Sequence, residues 1–312
     1  MSDENKKFRL VTRSDFDGLV CAVILKELDL IDEIKFVHPK DMQDGKIQIT
    51  GGDITTNLPY VEGVGLAFDH HESELIRLPG GRDNYIIEPH APSAARVVYN
   101  YYGGNKALPN ISEEMMASVD KADSAQFSLD DVLNPQGWDL LSFVMDARTG
   151  LGRFKGFGVS NYDLMMNLIT YCKDHTIDEI LELPDVKDRT DLYFEHQENF
   201  KNQIKKCSTV YKNLVVLDLR NEDIIYCGNR FMIYVLFPQC NISIHAMWGF
   251  NKQNTVFTVG KSIFNKTSQT NIGELMLEYS GGGHANAGTC QIDTAKADDV
   301  LKEIIAKINS QG

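Results

Sequence analysis

The sequence predicts an α/β protein, with an N-terminal domain on a mostly parallel sheet followed by a smaller mixed α/β domain. Three observations carry that expectation. Short β-type runs alternate with helical patterns through the first 125 residues, as they do when helices cross over between parallel strands. Acidic residues fall directly after those runs, at the strand ends where open α/β sheets bind ligands. Beyond residue 210, N-I-S-I-H-A-M (241–247) and T-V-F-T-V-G-K (255–261) alternate with period two, and 295–308 closes the chain as an amphipathic helix.

Taken in order, Phe8 to Thr12 reads as a buried strand. Asp17-Gly18 can then cap a helix carrying Leu19, Val20, Val23, Ile24 and Leu28 at helical spacing. Further strands are expected at 34–37, 47–50 and 64–68, and helices near 93–102 and 112–121. The short stretch between the second and third strands suggests that one pair is antiparallel. Residues 190–206 form a charged, weakly periodic helix without Gly or Pro, read as a connector.

Composition limits the function. Apolar residues make up 43% and charged residues 24%, as in a folded globular chain. With 31 Lys+Arg against 44 Asp+Glu the net charge is −13, which repels duplex nucleic acid and anionic membranes. Six cysteines without a C-x-x-C point to neither a disulfide framework nor a zinc knuckle. The opening M-S-D-E-N-K-K-F-R-L has no apolar core of an export signal, so the expected location is cytoplasmic.

The chemistry concentrates in Asp15 and Asp17 after the first strand, Asp53 after the third, and Asp69-His70-His71 after the fourth. Two carboxylates 4 Å apart repel by about 4 kcal/mol at an effective dielectric of ~20, so such a cluster needs cations. Oxygen ligands with a minority of imidazole favour Mn²⁺, with Mg²⁺ the second candidate. Two ions sharing one carboxylate would activate a water and polarise a phosphoryl oxygen. Gly150 to Gly156 spaces its glycines as G-x-G-x-x-x-G with no β-run before it, which makes it a basic loop carrying Arg153 and Lys155 rather than a dinucleotide fingerprint. Cys21, without a His partner in sequence, reads as a core thiol.

In order and spacing, Ser14-Asp15-Phe16-Asp17-Gly18, Asp53, Asp69-His70-His71 and Gly281-Gly282-Gly283-His284-Ala285-Asn286-Ala287-Gly288 resemble the motifs of the DHH/DHHA1 phosphoesterase superfamily. That superfamily includes RecJ-like nucleases, oligoribonucleases, cyclic-dinucleotide phosphodiesterases and exopolyphosphatase-related proteins. The resemblance spans residues 8–292. It implies a DHH domain over 1–189, a connector over 190–209 and a DHHA1-like domain over 210–312, with the active site in the cleft between the two domains.

By the same resemblance, two Mn²⁺ ions are held by Asp15, Asp17, a bridging Asp53, His70 and Asp123, with Asp120, one turn earlier, as the alternative to Asp123. Asp69, His70 and His71 form the catalytic triplet. Arg13, His71, Lys261, Gly282, Gly283, His284 and Asn286 contact the substrate phosphate. Arg13 stands where the family often has a His, and a guanidinium has no lone pair for a cation. The function implied is a Mn²⁺-dependent phosphohydrolase, exopolyphosphatase-related, cleaving a phosphoanhydride or phosphodiester of a small anionic substrate. A short-RNA exonuclease is one alternative, and a phosphate-ligand sensor with a degraded centre is the other. The partner expected is a small phosphorylated substrate or short oligonucleotide, with neither duplex nor membrane; a homodimer is compatible.

Overall fold

Residues 7–311 are described by a computed structural model; residues 1–6, part of the segment read for an export signal, lie outside them. The elements run β1 (Phe8–Arg13), α1 (Phe16–Glu27), β2 (Ile31–Val37), α2 (Pro39–Gln43), β3 (Asp53–Thr56), β4 (Leu66–Asp69), α3 (Glu72–Arg77), β5 (Tyr85–Ile87), α4 (Ala94–Tyr101) and α5 (Glu113–Asp123). There follow α6 (Leu129–Leu133), α7 (Gly137–Met145), α8 (Asn161–Asp174), α9 (Ile177–Leu181) and α10 (Pro184–Cys207). The remainder holds β6 (Ser208–Tyr211), β7 (Leu214–Asp218), α11 (Met232–Leu236), β8 (Ile242–Trp248), β9 (Asn254–Lys261), α12 (Ile272–Leu277), β10 (Gly282–His284), β11 (Ala287–Asp293) and α13 (Ala297–Gln311).

The chain divides into two compact units. One takes the chain to Gln126 with Pro135–Ala147 and Leu151–Asp191; the other takes Phe127–Asn134, Arg148–Gly150 and Leu192 onward. The division falls inside α10, which is continuous from Pro184 to Cys207.

The first unit is built on a five-stranded sheet, ordered β2-β1-β3-β4-β5 and parallel at every pair. The expected antiparallel pair does not occur there, because β3 adds to β1 rather than to β2, and residues 38–52, with α2 among them, supply the crossover. The segment 47–50 alternates as expected, and Ile47 and Ile49 pack on Val11, Val37, Met42 and Leu58, yet it joins no ladder. The strand begins only at Asp53. Helix α1 is buried on every side from Leu19 to Leu25, since it is wrapped by α4, α5 and α8 as well as backed by the sheet. That explains why it is apolar all round rather than striped.

The second unit is a six-stranded mixed sheet, β10-β11-β9-β8-β7-β6, in which only β7 and β8 run parallel. Ile242, Ile244 and Ala246 of β8 and Phe257 and Val259 of β9 face a core closed by Ile272 and Met276 of α12 and Ile304 and Ile308 of α13. The Gly281-to-Gly288 segment forms part of the sheet. Gly282–His284 and Ala287–Asp293 pair as an antiparallel hairpin on the edge of that sheet. Cβ atoms at Gly281, Gly283 and Gly288 would come within 2.3–2.8 Å of neighbouring atoms, so the glycines allow a close approach of two backbones and of α12.

None of the six cysteines is in a disulfide. Among the described residues no helix is long and apolar enough to cross a membrane.

Candidate metal centre

Because all five strands run the same way, each leaves the sheet at one edge, and the residues following β1, β3 and β4 collect there. Asp15 caps α1 by accepting a hydrogen bond from Gly18 N at 2.9 Å, and Arg13 pairs with it at 2.9 Å. Asp17 sits in the first turn of α1 and is 2% exposed. Its two oxygens accept the amides of Ala94 (3.0 Å) and Ala95 (2.7 Å) at the N-terminus of α4, where a helix end carries positive potential. Burial nonetheless pushes the Asp17 carboxyl well above the ordinary carboxylate range, with the charges of Asp123 and Asp15 adding to it.

His70 and Asp123 complete the group. Ligand atoms of Asp17, His70 and Asp123 all lie within 4.8 Å of one another. The His70 Nδ1 is 3.1 Å from the carbonyl of Ala91, which accepts the ring proton and leaves the lone pair on Nε2, the tautomer that a metal requires. Nε2 lies 2.9 Å from Asp123 Oδ2 yet finds no well-aligned hydrogen bond. Close approach without donor geometry is what two ligands of one cation show, so these residues fit a divalent ion. Burial works against a charge on His70, but the close contact with the Asp123 carboxylate and the charge of Asp17 outweigh it and raise its pKa to about 9. Burial likewise opposes ionisation of Asp123, and His70 more than offsets this, holding that carboxyl below its usual value.

Asp69 is a positioning residue. It is fully buried, accepts from Tyr85 Oη at 3.0 Å and from its neighbours' amides at 2.8 and 3.4 Å, and binds Nδ1 of His71 at 2.7 Å. The orientation and tautomer of His71 are thereby set.

Two expected ligands lie elsewhere. Asp53 opens β3 instead of following it, and in register it stands beside Arg9, three residues before Thr56. At about 3.3 Å per residue this puts it roughly 10 Å from the edge that carries Asp17 and His70. There it pairs with Arg9 at 2.7 Å and accepts from Thr50 N and Oγ1. It is a structural carboxylate, and its assignment as a bridging ligand is corrected. Asp120 points to Arg96 (2.6 Å) and Ser93 (2.7 Å), bracing the start of α4, so Asp123 rather than Asp120 joins the group. The residue that does follow β3 is Asn57, 2% exposed, whose Nδ2 approaches both oxygens of Asp15 at 3.3 and 3.4 Å. Its only sequence signal is a polar residue directly after Thr55-Thr56 at the end of a strand. Lys261 ends β9, and Gly282, Gly283, His284 and Asn286 lie in and around the hairpin of the second unit. Arg153 and Lys155 are exposed, and Cys21 is a buried thiol pushed up by burial and by Asp17.

The Arg9–Asp53 pair yields a first prediction. Burial pushes the Asp53 carboxyl up, but Arg9 and Thr50 outweigh it and hold it below the usual range. Its contribution is therefore present above about pH 4, the ordinary range of an Asp, and fades as pH falls through the lower folded value. Asp53→Ala should lose about 1–3 kcal/mol of stability and keep Mn²⁺ binding. Thermal unfolding at pH 7 and pH 3 reads the first effect, which should shrink at the lower pH. A Mn²⁺ titration reads the second, and loss of Mn²⁺ binding in a folded variant would restore Asp53 to the centre.

No family model matches the chain, and no curated protein matches it. Solved structures do. A pGpG-specific phosphodiesterase, PggH from Vibrio cholerae, is 62% identical, with a TM-score of 0.86, over 98% of this chain and 100% of its own. RecJ from Thermus thermophilus in complex with Mn²⁺ is 14% identical with a TM-score of 0.57, over 98% of this chain and 52% of RecJ. An exonuclease RecJ bound to manganese gives 14% and 0.51, over 98% and 91%. The RecJ likenesses speak for the fold, whereas 62% identity along nearly the whole chain speaks for close kinship. Together with the D-x-D-G turn and the Asp-His-His triplet at one edge of a parallel sheet, they establish that the chain belongs to the DHH/DHHA1 phosphoesterase superfamily and is a metal-dependent phosphoesterase.

Proposed function

We propose that the chain is a Mn²⁺-dependent phosphodiesterase that hydrolyses the linear guanine dinucleotide pGpG. The observation that carries this reading is the 62% identity, over 98% of this chain and 100% of the other, to a pGpG-specific phosphodiesterase. A dinucleotide also suits a chain of net charge −13, because a few phosphates can be neutralised locally where a long polyanion would meet repulsion. The other expected substrates, polyphosphate above all, have no such support.

Asp17, His70 and Asp123 would hold a cation, and Asp15 stands next to them. When bound, such an ion polarises a phosphoryl oxygen and makes water nucleophilic near neutral pH. Hydrolysis forms one P–O bond from water and breaks the ester P–O bond, so the water loses a proton and the leaving oxygen gains one. His71, fixed through Nδ1 by Asp69, serves as the donor to that oxygen. Arg13 in residues 1–189, and Lys261, Gly282, Gly283, His284 and Asn286 in 210–312, supply contacts to substrate phosphate, while ion binding falls to residues 1–189. The cytoplasm is the compartment for such a reaction.

The test is a panel of pGpG, pApA, a cyclic dinucleotide, short polyphosphate and adenosine bisphosphate, run with Mn²⁺, with Mg²⁺ and with chelator. Release of GMP from pGpG in preference to all others, abolished by chelator, is the expected result. Preference for polyphosphate, or tight pGpG binding without turnover, overturns the reading, and the latter outcome identifies a sensor.

Metal binding itself should be proton-linked. His70, its pKa raised to about 9 in the ion-free protein, must be neutral to ligate, and the Asp17 carboxyl, pushed well above the ordinary range, must be ionised, so Mn²⁺ uptake at pH 7 is expected to release the His70 proton and whatever proton Asp17 holds. Calorimetric titrations in two buffers of different ionisation enthalpy measure this directly.

A further inference from the structure

β3 lies at the middle of the parallel sheet, between β1, which leads to Asp15 and Asp17, and β4, which leads to His70 and His71. The residue that leaves β3 at this edge therefore stands between the two halves of the centre, and it is Asn57. Its backbone amide donates to the carbonyl of Phe68 in β4 at 3.1 Å, while its side chain reaches Asp15 beyond β1. Its φ is +55°, a left-handed conformation that glycine takes without strain and other residues take at a cost. Asn takes this conformation more readily than most residues, so what marks Asn57 is that its polar side chain is buried there.

The amide is oriented by its neighbour. With Nδ2 toward the Asp15 carboxylate, Oδ1 is turned away from that charge; the reverse orientation would set two oxygens against each other. Oδ1 is buried and accepts no hydrogen bond. An amide oxygen left without a donor in the interior is unfavourable, and a cation is the partner that relieves it.

We propose that Asn57 is a ligand of the metal centre, supplying Oδ1 as a neutral oxygen while Nδ2 holds Asp15 in place. The inference rests on the metal-dependent reading above. It gives the centre an amide where the sequence had suggested a bridging carboxylate, leaving Asp15, Asp17 and Asp123 as its carboxylates. Fewer negative charges lower the drive to gather cations, so one carboxylate added at this point should tighten their binding.

The test is a Mn²⁺ titration by calorimetry and by electron paramagnetic resonance on wild type, Asn57→Gly and Asn57→Asp, with thermal unfolding of each ion-free protein. Glycine suits the positive φ and removes both amide contacts. The expected result is Mn²⁺ affinity at least about tenfold weaker in Asn57→Gly, at an ion-free Tm no lower than wild type, and affinity at least about tenfold tighter in Asn57→Asp. Wild-type affinity in a folded Asn57→Gly overturns the proposal and returns Asn57 to a turn residue. Should the glycine variant not fold, unchanged or weaker Mn²⁺ binding in Asn57→Asp overturns it instead. A wild type that takes up neither Mn²⁺ nor Mg²⁺ would overturn the metal-dependent reading itself, a failure distinct from equal binding by wild type and variant.

Discussion

Asp123→Asn should lower phosphoesterase turnover by on the order of 10³-fold, the loss expected when about 4 kcal/mol of charge stabilisation is withdrawn from a metal centre. The substitution keeps size and helix-end geometry and removes only the charge. Asp123 is the partner of His70 at 2.9 Å and one of the charges that raise Asp17. In the ion-free protein its attraction to His70 and its repulsion from Asp17 oppose each other, and at these distances each is of the same order. Tm is therefore expected to move by no more than a few degrees while Mn²⁺ affinity collapses. The split between an unchanged Tm and lost metal binding distinguishes a ligand from a structural charge. Turnover within tenfold of wild type at saturating Mn²⁺ would exclude Asp123 from the centre.

Gly18→Ala should unfold the first unit's active edge. A Cβ there would lie 2.0 Å from the carbonyl oxygen of Arg13 and 2.8 Å from Oγ1 of Thr12, well inside contact distance. Neither neighbour can yield easily. Thr12 is buried and tied to Thr56 by hydrogen bonds of 2.7 and 3.1 Å, and Arg13 closes β1 in register with Val37 of β2. The strain must then move α1, which is packed on all sides. A loss of about 3 kcal/mol or more is expected, corresponding to a Tm lower by roughly 10 °C. Because Asp15 and Asp17 share this turn with Gly18, Mn²⁺ affinity should fall with it. Unfolding curves and a Mn²⁺ titration check both, and a wild-type Tm would show that the β1–α1 turn is looser than its contacts imply.

The parts of the centre that can be read from sequence are those whose local setting reveals them. Asp15-x-Asp17-Gly18 sits on a strand-to-helix turn, and Asp69-His70-His71 ends an apolar run, so both declare a ligand edge without any tertiary knowledge. Asp53 shows the opposite. The alternation of Ile47 and Ile49 reports one-sided burial, which a strand and a packed irregular segment share, and it draws the strand boundary six residues too early. Only the register of β3 on β1 shows that Asp53 neutralises Arg9 across the sheet, a relation between residues 44 positions apart. Asn57 escapes notice for a related reason, since an uncharged amide signals nothing about metals until its place between two strands is seen. The glycines at 281–283 announce a close backbone approach, but that a partner strand lies there is seen only from the pairing of Gly282 with Thr289 and Gly283 with Gly288 across the hairpin.

The one-way run of the first sheet has a consequence for how this protein tolerates change. Every crossover begins at the edge bearing Asp17 and His70 and returns to the other, so distance along a strand is also distance from the chemistry. Residues such as Arg9 and Asp53 answer only to folding, whereas Thr56 and Asn57, a few positions further along, answer to both demands. A saturation scan scored separately for abundance and for hydrolysis should accordingly show a gradient along β1, β3 and β4. Abundance alone would govern the entry end, and hydrolysis would become limiting toward the exit. The entry end is the place for stabilising substitutions or an inserted reporter, because altering it leaves the reaction edge untouched.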